Sequence, residues 1–141
     1  MTDVVRLIGV RDTALSVDEV WSSVADAAAG GTVLFIGTVR ERDSGRVVSE
    51  LGYTAHPSVE AELRRVAEKV VADFPVHALA AVHRVGDLAV GELAVIVAVA
   101  CPHRAEAFAA CRRLIDELKA TVPIWKHQQF VEGSDEWVGL P

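Results

Sequence analysis

The sequence predicts an α+β fold: one two-layer domain with a mixed or antiparallel sheet and about three helices. Three observations lead there. Runs of β-branched residues are interspersed with amphipathic helical patterns instead of alternating with them strictly, and turn residues join neighbouring runs as hairpins. No Gly-rich dinucleotide fingerprint or P-loop is present. The 141 residues, 51% hydrophobic and 24% charged, suffice for one compact core. Without an internal repeat, low-complexity tract or linker, residues 1–141 read as a single domain.

Val4 to Val10 predicts an opening strand. Ser16 followed by Glu19 is a capping-box pattern, and Val17, Val20, Trp21 and Val24 give a short amphipathic helix ended by Gly30-Gly31. Thr32 to Val39 is rich in β-branched residues and predicts a central strand. Gly37 inside it suggests a bulge or a close backbone approach. Arg40 stands at its exit, Glu41 to Gly45 reads as a polar, mobile loop, and Val47 to Ala55 as a paired strand. Pro57 opens a second helix with Val59, Leu63, Val66, Val70 and Phe74 on its buried stripe, and Pro75 ends it. Leu79 to Val85 and Leu93 to Ala100 predict strands, with one side chain of His83-Arg84 at the sheet surface. Ile124 to Val131 and Glu136 to Val138 predict a terminal hairpin.

Between these lies a long helix. Pro102 suits its first position, and Pro123 pushes Val122 out of the α region, ending it near Thr121. At 100° per residue, Phe108, Cys111, Leu114, Ile115 and Leu118 fill one apolar arc, while Glu106, Arg113 and Glu117 point to water. Lys119 falls at the shoulder of the arc, in a stripe with Arg104, Phe108 and Ile115. A lysine there snorkels over the core edge by default. Held against apolar neighbours, it instead loses hydration, and its pKa falls toward the range useful for proton transfer or attack on a carbonyl. His103 and Arg104 crowd a helix start that already favours anions, an arrangement that makes sense if an anion binds there. Lys126 follows Trp125 seven residues after Lys119.

A formal net charge of −6 argues against nucleic acid. The longest apolar run is too short to span a membrane, and the first residues do not pattern as a signal peptide. Two cysteines make no disulfide framework, and a reducing cytoplasm is the expected compartment. Five His and two Cys are scattered without metal-ligand spacing, and no metal or cofactor is expected. The remaining set, Arg40, His103, Arg104, Lys119 and Lys126, suits a phosphorylated or carboxylated small molecule, or an acidic protein tail.

Four segments carry a resemblance: FIGTVR at 35–40, HRVGDLAVGE at 83–92, PHRAEAF at 102–108 and LIDELKATVPIWK at 114–126. Together they resemble the large, catalytic subunit of molybdopterin synthase, the MoaE family, from about Gly31 to Trp137. The resemblance implies a fold of the α/β-hammerhead type and a homodimeric core with a small ubiquitin-like sulfur-carrier subunit docked at each end, a heterotetramer. It implies a sulfurtransferase of molybdenum cofactor biosynthesis. The carrier's C-terminal Gly-Gly thiocarboxylate enters a pocket, and two sulfurs pass to cyclic pyranopterin monophosphate to form the dithiolene of molybdopterin. By the same resemblance Lys119 is the catalytic lysine and Lys126 the second pocket lysine. His103, Arg104 and Arg40 contact anion and substrate, Arg104 in the neighbouring protomer's site, and Phe35 is an aromatic near the pocket. Thr38 stands where a lysine is often found, and no basic extension follows Trp137 within these residues. The competing readings are a non-catalytic α+β module holding an anionic metabolite or protein tail, and a Schiff-base enzyme acting on a carbonyl substrate.

Overall fold

A computed structural model describes residues 3–43 and 45–139. Its main sheet has the order β1-β5-β7-β2, formed by Val5–Arg11, Ala78–Arg84, Leu93–Cys101 and Gly31–Thr38. β1 runs parallel to β5, and the other two pairings are antiparallel, so the sheet is mixed. β5 and β7 lie in the middle and are buried on both faces, which explains the continuous apolar runs ALAAV and LAVIVAVAC.

Helices α2 (Val59–Asp73) and α3 (Arg104–Thr121) cover one face. Leu63, Val66 and Val70 of α2 and Leu114 and Leu118 of α3 pack there on Leu79, Val97 and Val99. The short α1 (Val17–Ser23) lies on the opposite face, with Val20 over the small side chains of Ala78, Ala80, Ala98 and Ala100. A second sheet follows the order β3-β4-β8-β9, from Arg42–Asp43, Arg46–Ala55, Ile124–Phe130 and Asp135–Gly139, with β6 (Gly86–Leu88) also paired to β4. Leu51, Leu88, Val39 and Ala94 form a small core between the sheets.

Several local expectations are met by the chemistry invoked for them. The Ser16 side chain accepts from the Glu19 amide at 3.2 Å and caps α1. Val122 ends α3 in an extended conformation just before Pro123. Gly37 lies at a register shift and approaches β7 so closely that a Cβ would stand 2.7 Å from Val95 Cγ1.

Others are corrected. α1 ends at Ser23, well before Gly30-Gly31, because the intervening residues turn back to reach β2. Within the segment 41–45, expected to be a mobile loop, Arg42 and Asp43 pair with Val47 and Arg46. Pro102 lies outside α3, whose N-cap is His103. Arg113 and Glu117 do not face water alone: Arg113 pairs with Asp73 at 2.9 Å and covers the Phe74 ring, and Lys69 reaches Glu117. They staple α3 to α2. Phe108, expected in the core, is 62% exposed.

Candidate active site

β4, β8 and β9 are antiparallel, so residues directly opposite one another project from the same face. Tyr53 stands opposite Lys126, and Lys126 opposite Val138, which sets an aromatic, a cation and an apolar side chain in one row. The last turn of α3 lies against this row and brings Lys119 and Leu118 to it; His83, at the end of β5, completes the wall. The result is a pocket of about 190 Å³ lined by Tyr53, His83, Leu118, Lys119, Lys126 and Gly139 among others. Gly139 is required by its backbone: φ is +122°, and a Cβ would stand 2.7 Å from the Ile124 carbonyl oxygen.

The electrostatics of this pocket are one-sided, since no carboxylate among the described residues lines it. Lys119 retains exposure to solvent, but protein atoms around its amine hold its pKa below the ordinary lysine value. Burial is the main cause, followed by the charges of Lys126 and Arg40. Arg40 is mostly exposed and reaches Asp43 at 3.2 Å. Asp43 also accepts from the buried Gln128 amide at 2.6 Å, and that hydrogen bond, with Lys126, Arg40 and Arg46 nearby, holds its carboxyl below the usual range. Arg40 is thereby tethered near the pocket without entering it.

His83 is buried, 5% exposed. Its Nδ1 lies 2.7 Å from the Arg84 carbonyl oxygen, and its ring meets the Tyr53 ring edge-on with centroids 4.9 Å apart. Burial pushes its pKa down to about 4, and the nearby Lys119 charge adds to the fall. A pocket built this way can bind a small anionic chain end between two ammonium groups. It also offers an amine with a lowered proton affinity beside the bound group.

The other expected residues lie elsewhere. His103 and Arg104 are at the far end of α3; fifteen residues separate Arg104 from Lys119, about 22 Å along a helix. Phe35 lies with Phe108, Cys111, Arg112 and Ile115 around a separate shallow cleft between β2 and α3. One chain thus brings together Lys119 and Lys126, keeps Arg40 at their margin, and leaves His103, Arg104 and Phe35 apart.

The family model described as MoaE protein matches residues 10–121. The chain belongs to the MoaE family. It is 41% identical over 131 residues to the molybdopterin synthase catalytic subunit 1 of Mycobacterium tuberculosis, covering 92% of this chain and 88% of that protein. Among solved structures, molybdopterin synthase from Staphylococcus aureus superposes with a TM-score of 0.87 at 29% identity, over 94% of this chain and 97% of that one. The complex of subunits 1 and 2 of molybdopterin-converting factor from Helicobacter pylori shares the fold at 22% identity, with a TM-score of 0.67 over 97% of this chain and 90% of that one.

Within this MoaE-family pocket, sequence reasoning missed the two other polar side chains of the lining, Tyr53 and His83. The signal for His83 was present in HRVGDLAVGE, but alternation placed one of His83 and Arg84 at the sheet surface. Because β5 is a central strand with both faces covered, alternation carries no information there. Tyr53 had no local signal; its partner Lys126 is 73 residues away and is found only by strand pairing.

Proposed function

We infer that this chain is the catalytic subunit of a molybdopterin synthase, a sulfurtransferase. It moves sulfur from the C-terminal thiocarboxylate of a small ubiquitin-like carrier to cyclic pyranopterin monophosphate, building the dithiolene of molybdopterin. The observation that carries this reading is the convergence of Lys119 and Lys126 in a pocket that no carboxylate among the described residues lines, in a chain of the MoaE family. At about 190 Å³ the pocket is smaller than the usual ligand cavity of 300 Å³ or more, so it suits the narrow Gly-Gly end of a carrier better than a whole pterin. The two-subunit complex from Helicobacter pylori, of the same fold, supports a partner subunit.

In this reading Lys126 neutralises the thiocarboxylate before transfer and the carboxylate left after water replaces the sulfur. Lys119 serves the acyl step itself, as proton donor and acceptor or as a transient nucleophile. Its lowered pKa makes a neutral amine more accessible than on an ordinary surface lysine.

His103, Arg104 and Phe35 bind substrate in a site completed by a second copy of the chain, because α3 is too long for its first turn to meet its last. Exposed Phe35 and Phe108 around the cleft between β2 and α3, with exposed Ile36 on the same edge strand, support such a homodimer, with the carriers docked at its ends as a heterotetramer. Arg40 bridges the margin of the lysine pocket and the substrate phosphate. The cytoplasm is the compartment this activity requires, and the two buried cysteines remain unpaired thiols.

The test is reconstitution of the full chain with thiocarboxylated carrier and cyclic pyranopterin monophosphate, the product being read by fluorescence after oxidation. Lys119→Ala is expected to lower turnover by about 100-fold or more while carrier affinity is preserved. Retained turnover would remove Lys119 from the mechanism. Carrier binding by the unaltered chain without any product would leave only an anion-binding module.

A further inference from the structure

The pocket contains a side chain that the roles assigned above do not use. His83 lies inside the wall, and its two ring nitrogens are not equivalent. Nδ1 faces the Arg84 carbonyl oxygen at 2.7 Å, an atom that only accepts, so Nδ1 carries the proton of the neutral ring. Nε2 is then a bare acceptor, and among the described residues it has no hydrogen-bond partner within the chain. The edge-on Tyr53 ring fixes the plane of the imidazole. The same pocket holds the Lys119 amine, whose charge acts on His83.

We propose that His83 is a positioning residue of the sulfur-transfer reaction: its unprotonated Nε2, unpartnered in the free chain, is the acceptor that the Lys119 ammonium reaches by a change of rotamer, which aims that amine at the carrier's terminal acyl group. The proposal rests on the assignment of Lys119 to the acyl step.

The groups facing Lys119 make an acceptor useful. Lys126 on β8 and Arg40 beyond β2 both repel a proton on Lys119, and burial acts in the same direction. Tyr53 on β4 has a hydroxyl that can donate as well as accept, and burial raises its pKa. His83 offers only a lone pair toward the pocket, and its burial keeps that lone pair free of a proton across the neutral range. It therefore opposes the loss of the Lys119 proton and limits the rotamers that a long, flexible side chain would otherwise sample. A protonated imidazole would do the reverse and turn the lysine away.

His83→Phe and His83→Gln, each in the full-length chain, test this against Lys119→Ala as a reference. Glutamine can place an amide oxygen near the position of Nε2, whereas phenylalanine keeps the ring and its edge contact with Tyr53 but has no acceptor. One readout is the titration of Lys119 itself, followed by NMR of lysine labelled at Cε and assigned by the peak that Lys119→Ala lacks. The second is the steady-state reaction with thiocarboxylated carrier.

His83→Phe is expected to lower the Lys119 pKa further and reduce kcat about tenfold with little change in the KM for carrier, as for one lost hydrogen bond. His83→Gln is expected to restore most of both. A Lys119 titration unmoved by His83→Phe overturns the proposal, as does a folded His83→Gln chain as impaired as His83→Phe. Should His83→Phe fail to fold, His83→Gln decides alone: near wild-type kcat and Lys119 titration support the proposal, and loss of both overturns it. Full activity in Lys119→Ala would instead remove the assignment of Lys119, and the NMR titration distinguishes that outcome because it needs no turnover.

Discussion

At its C-terminal end, α3 delivers Lys119 into a pocket whose other walls come from β4, β5, β8 and β9 of the same chain. At its N-terminal end it presents His103 and Arg104 to solvent, with Phe108 one turn later and 62% exposed beside Phe35. There Glu106 Oε2 is sealed from solvent without a hydrogen-bond partner. The first end is furnished with aromatic walls, a tethered arginine and two lysines with distinct surroundings. The second has cations, exposed aromatics and an orphaned carboxylate oxygen, but no cavity that joins them to the lysines. A rigid helix explains the contrast: residues fifteen apart on it cannot meet in one site of the same chain. If both ends serve one reaction, a second copy must bring its N-terminal end to the first copy's pocket.

The strongest way to break that comparison is to separate the two ends genetically. Arg104→Ala and Lys119→Ala are each expected to lower turnover by about 100-fold or more. Mixed and allowed to exchange subunits, the two variants are expected to recover about a quarter of the wild-type rate, since half of the dimers are mixed and each has one intact site. No recovery would mean that Arg104 acts within its own chain or not at all.

A stability measurement sharpens the same contrast between faces of the helix. Leu114 is fully buried, and Leu114→Ala should cost about 2–5 kcal/mol in denaturant unfolding. Phe108 lies on the same wheel-predicted arc, yet Phe108→Ala should cost less than about 1 kcal/mol in dilute solution. Its effect should appear instead as weaker self-association by sedimentation.

A further expected effect concerns acid. The folded chain takes up the His83 proton only near pH 4, whereas an unfolded histidine does so near 6.5. Between these values the unfolded state binds more protons, so the His83 contribution, up to about 3 kcal/mol, is present above pH 6.5 and is lost as pH falls toward 4. His83→Phe should flatten that part of the stability curve in urea unfolding between pH 7 and 4.5; an unchanged slope would show that His83 titrates normally.

Some of this was written locally. Ser16, Pro75 and Pro123 place helix ends because capping and proline geometry act over three or four residues, and those ends hold. Lys119 at the shoulder of an apolar arc, with Lys126 just beyond a proline stop, is likewise legible, because a helix followed by a strand leaves little freedom over seven residues. Linked to His-Arg at the helix start, that spacing pointed to the MoaE family before any fold was known.

Other features depended on long-range pairing. Phe108 reads as core on a helical wheel, but a wheel cannot show that β2, beside it, is an edge strand of the sheet. Alternation puts one of His83 and Arg84 at the sheet surface without saying which, but β5 is covered by helices on one face and by α1 and the second sheet's core on the other, and His83 is the buried one. Tyr53 joins Lys126 only because β4 and β8 pair in one register. By itself, then, the sequence determined the helix ends, the lysine spacing and the family, all of which rest on interactions between near neighbours. Tertiary structure alone decided which histidine is buried beside the lysine, which aromatics remain uncovered and which cations stay out of reach, because burial and proximity depend on residues far apart in the chain.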